Sequence, residues 1–439
     1  MRDDELQVLG KSRKLSKREK WTIAVCAIVI IGIVVALGVW GHNLFANEQD
    51  VHVRKTPGEP TIVPELQECV DSLLTSWLDS INGMQGQVIV MEVQTGEIVA
   101  MVGRERNFEG KFQPCKNFAY QQELGSLTKT ASLLAALETG EVKLSDVVDV
   151  GAGIWDIDGE HMMLDHNWRR GGYGQITLDY ALAVSSNIGI SKTVRNVYKG
   201  HELDFFSKLD SMSFGYPNNI AGIDGLKPTS YNSPRDSDWA NWMLCWSAIG
   251  YERKIAPIQM LTFYNAIAND GKMMKPTLKT GEVEVINPQI ASKDNIATMQ
   301  VMLDHVVSEG LGRKAGTPIL RVAGKTGTSQ VAEYDFGENN YVSEYQVCFC
   351  GYFPADEPKY SMIVSLNKLG LPASGGGMAG VVFHYIVEQM IAHGMPTVFV
   401  VDEEKKDTVK ITPDNIRSLT DSLSRRDDGY RIHLGVPVE

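Results

Sequence analysis

The sequence has few cysteines, and their spacing argues against a metal site. Six cysteines occur in 439 residues, at positions 26, 69, 115, 245, 348 and 350. None of them has the spacing typical of a zinc site. Cys348 and Cys350 alternate along an apparent strand and face the same way, so we do not expect them to bond to each other. The sequence therefore predicts no metal and no other cofactor, and it identifies no disulfide.

An excess of basic residues is also absent. The chain carries 42 lysines and arginines against 54 aspartates and glutamates, which gives a formal net charge of −12. An acidic protein is a poor partner for nucleic acid, so we exclude that class of function. No internal repeat is recognisable. The hydrophobic content of 43% is ordinary for a globular core, and the length allows two or three domains.

One long hydrophobic run lies near the N-terminus. Residues 21–40 form an uncharged stretch of twenty residues with tryptophan at both ends, long enough to cross a bilayer as a helix. Residues 1–20 are basic, which predicts a cytoplasmic tail, a membrane anchor at 21–41 and an outside location for the remainder. A cleaved signal peptide is the alternative. Its apolar region would be shorter, however, and "NLFANE" lacks the small-x-small cleavage pattern.

The rest of the chain divides into a linker, a main domain and a tail. Residues 42–65 are polar with three prolines, and "PELQECVDSLLTSWLDSI" then has the pattern of an amphipathic helix. We assign 42–84 to the linker and this helix, and 85–396 to the main domain. Residues 397–439 are expected to form a charged, weakly structured tail.

The main domain is predicted to have an α/β (α+β) fold with a five-stranded, mainly antiparallel sheet. "QVIVMEV" and "EIVAMVG" form a hairpin, and three more strands follow much later, in "ILRVAGKTGT", "EYQVCFCGYF" and "YSMIVSLN". Residues 126–310 are mostly helical in period, with glycine- and asparagine-rich loops at 151–175 and 213–236. "AGVVFHYIVEQMIAHG" has the pattern of a closing helix. A large helical subdomain therefore interrupts a sheet whose faces helices cover.

The helix predicted from "GSLTKTASLLAALETG" carries a serine and a lysine in its first turn. Ser126 and Lys129 lie three residues apart on one helical face, with Cβ atoms about 5–6 Å apart, so the amine can take the hydroxyl proton. The alternative is that Ser126 caps the helix and Lys129 is solvated. The segment alone favours the alternative.

Two other segments offer the groups that such a nucleophile needs. "AVSSNIG" places Ser185 and Asn187 at a break between helical stretches, where a hydroxyl and an amide can project into a cleft. "VAGKTGTS" places four polar or small residues along a strand, and its glycines allow close approach of a ligand. These four residues are Lys325, Thr326, Gly327 and Thr328.

Each motif also occurs elsewhere, and the context separates the copies. Ser365 and Lys368 lie at the end of a predicted strand, so the lysine points away from the serine. Lys279 begins a second Lys-Thr-Gly at a predicted hairpin turn, without the flanking residues of the first. Ser-x-Asn recurs at Ser230, in a loop that contains proline, and again at Ser365.

The ordered set of three segments resembles the motifs of the penicillin-recognising serine enzymes. "VIVMEVQTGEIVAMV", "IGYERKIAPIQMLTFYNAIANDGKMMKP" and "FCGYFPADEPKYSMIV" resemble further segments of class B penicillin-binding proteins, in the same order. The resemblance runs from about residue 88 to 390. It implies a peptidoglycan D,D-transpeptidase at the bacterial cytoplasmic membrane, with the catalytic domain outside. Its expected partners are stem peptides ending in D-Ala-D-Ala, β-lactams as covalent inhibitors, the bilayer and a cell-wall synthesis complex.

The resemblance also implies residue roles. Ser126 would be the nucleophile, Lys129 its base, and Ser185 and Asn187 would relay protons and hold the substrate amide. Lys325, Thr326 and Thr328 would bind the substrate carboxylate, with Gly327 between them. The backbone N–H groups of Ser126 and Thr328 would form the oxyanion hole. We expect the helix start and a second cation, Lys325, across the cleft to lower the pKa of Lys129.

Two departures from the family pattern and three other functions bear on this hypothesis. Glu252 stands in "GYER" where a second glycine is usual, and only about forty residues separate the membrane segment from the hairpin. A pedestal domain is therefore not expected, and partners that dock on one are not implied. A D,D-carboxypeptidase and a non-catalytic sensor stay open as alternatives. A β-lactamase is disfavoured, because no Glu-x-x-Leu-Asn segment follows the second motif.

Overall fold

A computed structural model describes residues 56–159, 161–335, 341–402, 407–424 and 430–434. From Thr56 onward these residues form one compact unit. The predicted basic tail, the predicted membrane helix and linker residues 42–55 lie outside the described residues. Within the described ranges, no helix combines the length and apolar character that a bilayer span requires.

A six-stranded antiparallel sheet forms the centre of the fold. Its strands are β1 Gly83–Glu92, β2 Ile98–Arg106, β3 Phe112–Pro114, β12 Ala323–Asp335, β13 Tyr341–Phe353 and β14 Tyr360–Leu369. They lie in the order β12-β13-β14-β1-β2-β3. The predicted α+β class with five antiparallel strands is confirmed. The sixth strand, β3, was missed because its three residues give no apolar run.

Both faces of this sheet are buried, which explains its nearly continuous apolar strands. In β1, Ile89 and Met91 enter a core beneath the helical subdomain. Val88 and Val90 point to the opposite core, beneath helices Pro64–Ser80 and Gly380–Ala392. A strand covered on both sides needs apolar residues at consecutive positions, and "VIVM" provides them.

Two helices cover the second face. Helix α1, Pro64–Ser80, buries residues at four-residue spacing and thereby confirms the predicted amphipathic helix. Its buried residues are Leu66, Val70, Leu74 and Leu78. The closing helix is present at Gly380–Ala392.

The helical subdomain covers the first face. Its helices are α2 Thr128–Leu137, α3 Leu178–Ala183, α4 Asn187–Tyr198, α5 Glu202–Ser211, α6 Met243–Ser247, α7 Pro257–Ala268 and α8 Lys293–Ser308, and the closing helix is α9. Short strands occur between them: β4 Val147–Gly151, β5 Ile154–Ile157, β6 His161–Leu164, β7 Gly174–Thr177, β8 Ser230–Tyr231, β9 Arg253–Lys254, β10 Met273–Met274 and β11 Val285–Asn287. The expected loop at 151–175 therefore contains a small hairpin, β5 with β6.

The C-terminal segment differs from the weakly structured tail that we expected. It forms a three-stranded sheet, β15 Val398–Asp402, β16 Asp407–Lys410 and β17 Tyr430–Leu434, and a helix, α10 Ile416–Ser424. Three apolar residues among its charges pack into the second core, namely Ile411, Ile416 and Leu419. Their burial explains why the high charge of this segment does not prevent it from folding.

Candidate active site

The predicted nucleophile lies in a tight turn that packs against the edge of the sheet. Ser126 is half-buried in a 3₁₀ turn, Gly125–Leu127, which leads directly into α2. Gly125 has φ +55°, and a Cβ there would lie 2.9 Å from the carbonyl oxygen of Thr328. A Cβ on Gly327 would lie 2.6 Å from the carbonyl oxygen of Leu124. Both glycines are needed for this close approach of the serine turn to β12.

Lys129 is fully buried, so the alternative of a solvated lysine is wrong. Its exposed fraction is 0%. Its amine donates to the carbonyl oxygen of Ser185 at 2.6 Å, to Ser185 Oγ at 3.1 Å and to Asn187 Oδ1 at 2.7 Å. All ten residues of α2 are buried, because other helices of the subdomain surround it. The first two predicted segments therefore meet at this amine.

Burial also controls the pKa of this lysine. Burial lowers the pKa of Lys129 to about 7, and the charge of Asp165 opposes that shift. The expectation that a cation at Lys325 helps to lower this pKa is corrected, since burial is the cause of the shift. A lysine with a pKa near neutrality has a substantial unprotonated fraction and is able to accept a proton.

The second segment lies in the connection between α3 and α4. Ser185 has φ +55°, an uncommon conformation for a residue other than glycine. Ser186 caps α4, because its Oγ accepts from the backbone N–H of Gly189 at 2.9 Å. The Asn187 side chain donates to the carbonyl oxygen of Leu164 at 2.8 Å. Its amide is thus fixed with the oxygen towards Lys129.

Asp165 holds this connection from the other side, and the sequence reasoning missed it. The carboxylate accepts from Ser186 Oγ at 2.7 Å and from the backbone N–H of Ile188 at 3.1 Å. Asp165 is 1% exposed. A single aspartate in a glycine-rich stretch has no diagnostic spacing, so no sequence signal distinguishes it from an ordinary loop residue.

The third segment lies on β12, the edge strand of the sheet. Lys325 is 0% exposed, and its amine donates to the carbonyl oxygen of Thr326 at 3.0 Å. Burial, followed by the charge of Lys129, lowers the pKa of Lys325 well below its usual range. Thr328 is exposed, and its Oγ1 accepts from the backbone N–H of Gly375 at 3.0 Å. Ser329 Oγ donates to the carbonyl oxygen of Glu123 at 2.7 Å, which ties β12 to the chain before Ser126.

A family profile for the penicillin binding protein transpeptidase domain matches residues 86–388. This match covers more than half of the 439 residues. The chain belongs to this family. The resemblance drawn from the three motifs is therefore confirmed, and the fold described above is that of a penicillin-binding transpeptidase domain.

Several named proteins resemble this transpeptidase domain in sequence. Stage V sporulation protein D of Bacillus subtilis is 27% identical, over 66% of this chain and 46% of the relative. The probable peptidoglycan D,D-transpeptidase PbpC of Pseudomonas aeruginosa is 26% identical, over 74% and 56%. The peptidoglycan D,D-transpeptidase FtsI of Escherichia coli is 24% identical, over 72% and 55%. The chain thus spans about half the length of these relatives.

Solved structures show the same fold. The transpeptidase domain of penicillin-binding protein 3 from Burkholderia pseudomallei has a TM-score of 0.64 and 24% identity, over 78% of this chain and 98% of that one. Penicillin-binding protein 3 from Mycobacterium tuberculosis, solved with aztreonam, has a TM-score of 0.64 and 22% identity, over 77% and 79%. Because both identities are below 25%, these two structures show that the fold is shared and carry no argument about function.

The family departure at Glu252 has a local structural explanation. Glu252 has φ +60°, the left-handed conformation that a glycine adopts easily. Its backbone N–H donates to Glu123 Oε1 at 3.1 Å, and its Oε2 accepts from Asn232 Nδ2 at 2.8 Å. The transpeptidase domain thus keeps the glycine-like conformation of this loop with a glutamate, which its neighbours hold in place.

Proposed function

We propose that this protein is a peptidoglycan D,D-transpeptidase that forms an acyl intermediate on Ser126. The observation that supports it best is the fully buried Lys129 amine, which contacts both Ser185 and Asn187 one helical turn from Ser126. Its pKa of about 7 suits a general base at neutral pH. The substrate would be a stem peptide that ends in D-Ala-D-Ala.

In the first step, Ser126 Oγ attacks the carbonyl carbon of the penultimate D-alanine. The hydroxyl proton passes to the Lys129 amine, and the carbon–nitrogen bond to the last D-alanine breaks. The leaving nitrogen takes a proton through Ser185, whose Oγ lies 3.1 Å from the Lys129 amine. Free D-alanine leaves, and the remaining peptide stays as an ester on Ser126.

The free carboxylate of the substrate would bind at Lys325, Thr326 and Thr328. Burial disfavours the charged form of Lys325. An arriving carboxylate supplies the opposite charge and stabilises the ammonium form, so binding and protonation support each other. The backbone N–H groups of Ser126 and Thr328 would stabilise the oxyanion of the tetrahedral intermediate.

In the second step, the amine of another stem peptide attacks the ester and releases Ser126. A β-lactam would follow only the first step, and the missing Glu-x-x-Leu-Asn segment leaves the ester without a recognised carboxylate to activate water. A D,D-carboxypeptidase would use water in the second step, and the two activities share every residue named above.

Product analysis separates these activities. The purified chain is incubated with a peptide ending in D-Ala-D-Ala and an acceptor peptide that carries a free amine. We expect release of D-alanine together with a new amide between the two peptides, and loss of both products in Ser126→Ala. Ser365→Ala is the matched control and should keep both. Release of D-alanine with only the shortened donor would indicate a carboxypeptidase, and turnover by Ser126→Ala would contradict the proposal.

We also propose that residues 21–41 anchor the protein in the bacterial cytoplasmic membrane, with the transpeptidase domain outside. The uncharged run of twenty residues and the basic flank before it support this topology. Protease added to spheroplasts should remove the domain after Gly41 and leave the N-terminus intact. A domain that is protected until the cells are lysed would contradict the proposed topology.

A further inference from the structure

Asp165 is a buried carboxylate directly beside the catalytic segments. It follows β6 and precedes a 3₁₀ turn, Trp168–Arg170. Its backbone N–H donates to the carbonyl oxygen of Gly153 at 3.0 Å, and its carbonyl oxygen accepts from the N–H of Trp168 at 3.1 Å. These two hydrogen bonds hold the backbone of Asp165 between Gly153 and the 3₁₀ turn.

The carboxylate holds the two residues that flank Asn187. Its oxygens accept from Ser186 Oγ at 2.7 Å and from the backbone N–H of Ile188 at 3.1 Å. Asn187 and Ser185, in turn, accept from the Lys129 amine. One carboxylate thus fixes the connection that positions both residues, Ser185 and Asn187, that accept hydrogen bonds from the lysine.

A cap for α4 does not by itself explain a charge at this position. Ser186 already caps the helix by accepting from Gly189. Both groups that donate hydrogen bonds to Asp165 are neutral. Burying a carboxylate against neutral donors alone costs free energy. Its field acts on Lys129 in the direction that favours the ammonium form.

We propose that Asp165 is a positioning residue that holds the Ser185–Asn187 connection against Lys129 and stabilises the ammonium that forms when Ser126 gives up its proton. The inference rests on the proposed function, because it assigns Lys129 as the base. No bond to Asp165 forms or breaks in the reaction. It acts through the electric field and through the Ser186 and Ile188 hydrogen bonds.

Three other titratable groups surround Lys129 and bear on the test. His166 follows Asp165 on the same loop, and burial lowers its pKa. Lys325 lies on β12, and burial and the charge of Lys129 both lower its pKa. Tyr264 on α7 bonds to Thr130 at 2.7 Å, and burial raises its pKa well above 10, so it stays neutral in the pH range of interest.

The test is the pH profile of acylation by a fluorescent penicillin, measured on the full chain in detergent from about pH 5 to about pH 9. The wild type should lose activity on the acid side with a midpoint at the Lys129 pKa of about 7. Asp165→Asn keeps the shape and removes the charge. We expect its acid midpoint to fall by about one pH unit or more and its plateau rate to fall about tenfold.

Three control variants separate charge from structure. Glu138→Gln removes another anchoring carboxylate, one that accepts from Ser292 and Asn295 at the far end of α2, and should leave the midpoint unchanged. His166→Gln should also leave the acid midpoint unchanged. If the midpoint shifts in His166→Gln and not in Asp165→Asn, the titrating group is His166, and the proposal is overturned. Asp165→Glu keeps the charge and should restore a midpoint close to that of the wild type.

An unchanged acid midpoint in folded Asp165→Asn would overturn the proposed role of Asp165. It would leave the proposed function intact, because the wild type is still acylated. If circular dichroism shows that Asp165→Asn does not fold, the pH profile of Asp165→Glu is the test. An acid midpoint one pH unit lower in that variant, which keeps the charge, would contradict the proposal. A wild type that no penicillin labels would overturn the proposed function together with the inference.

Discussion

The sequence Ser-x-x-Lys occurs at two places in this protein, and the two copies lie in different secondary structure. Ser126 and Lys129 lie in a 3₁₀ turn and the first turn of α2, where three residues bring side chains to one side. Ser365 and Lys368 lie within β14. Successive residues of a strand point to opposite faces, so three residues place this serine and lysine on opposite sides.

The partners of the two lysines also differ. The Lys129 amine contacts side-chain acceptors on Ser185 and Asn187, next to the serine turn. The Lys368 amine donates to the carbonyl oxygens of Gly370 and Pro372, at 2.8 and 2.9 Å, and so closes the loop after β14. The same four-residue pattern is therefore a candidate catalytic pair where it begins a helix. Where it lies in a strand, its lysine stabilises a loop.

The largest effect should separate the two lysines. Lys129→Met fits the buried space but has no basic nitrogen, so we expect the penicillin acylation rate to fall about 10³-fold. Because Lys129 is fully buried, this near-isosteric change is preferable to alanine, which would leave a cavity. The measurement is the rate of labelling by a fluorescent penicillin.

Lys368→Met is the matched control for that experiment. It removes a donor from two loop carbonyls, which should lower the free energy of unfolding by about 1 kcal/mol and leave acylation within about twofold. Equal losses of acylation in both variants would show that the copies cannot be distinguished by their secondary structure.

The two Lys-Thr-Gly segments should give the next largest difference. Lys325 is buried on β12, whereas the side chain of Lys279 is about half exposed and lies 3.6 Å from Glu282. Lys325→Ala should reduce acylation on the order of 100-fold, because a desolvated, charge-assisted contact to the carboxylate is lost. Lys279→Ala should change it little. The reverse result would mean that the wrong segment has been assigned to the site.

The smallest effect concerns the loop around Gly250 and Glu252, which packs against the turn that carries Ser126. A Cβ on Gly250 would lie 2.1 Å from the carbonyl oxygen of Gly125, so this loop packs directly on the serine turn. Glu252→Gly relieves a left-handed conformation but loses the hydrogen bond to Asn232, and these effects of about 1 kcal/mol each should nearly cancel.

Glu252→Ala loses the hydrogen bond without relieving the conformation. Its free energy of unfolding should fall by about 1 kcal/mol relative to the glycine variant, as measured by urea denaturation. Equal stabilities of the two variants would show that the conformation of Glu252 carries no strain.

Sequence patterns predicted those parts of the site and fold that depend on local spacing. The hairpin of β1 and β2 and helix α1 follow from periodicity and turn residues, whereas the three site segments were chosen from their context and from their resemblance to a known family. The burial of Lys129 could not be predicted in this way, because α2 is covered by helices that are distant in sequence. Asp165 and β3 were missed for a related reason, since each depends on a partner that gives no local signal.

The most direct test of the central assignment is the mass of the acylated peptide. The chain is treated with penicillin and digested, and the peptide that contains "ELGSLTK" is compared with the peptide that contains Ser365. We expect a single penicilloyl adduct, on Ser126, that persists for minutes to hours and is absent from Ser126→Ala. An adduct on the Ser365 peptide, or labelling that survives Ser126→Ala, would contradict the assignment, and rapid release of hydrolysed penicillin would indicate a β-lactamase instead.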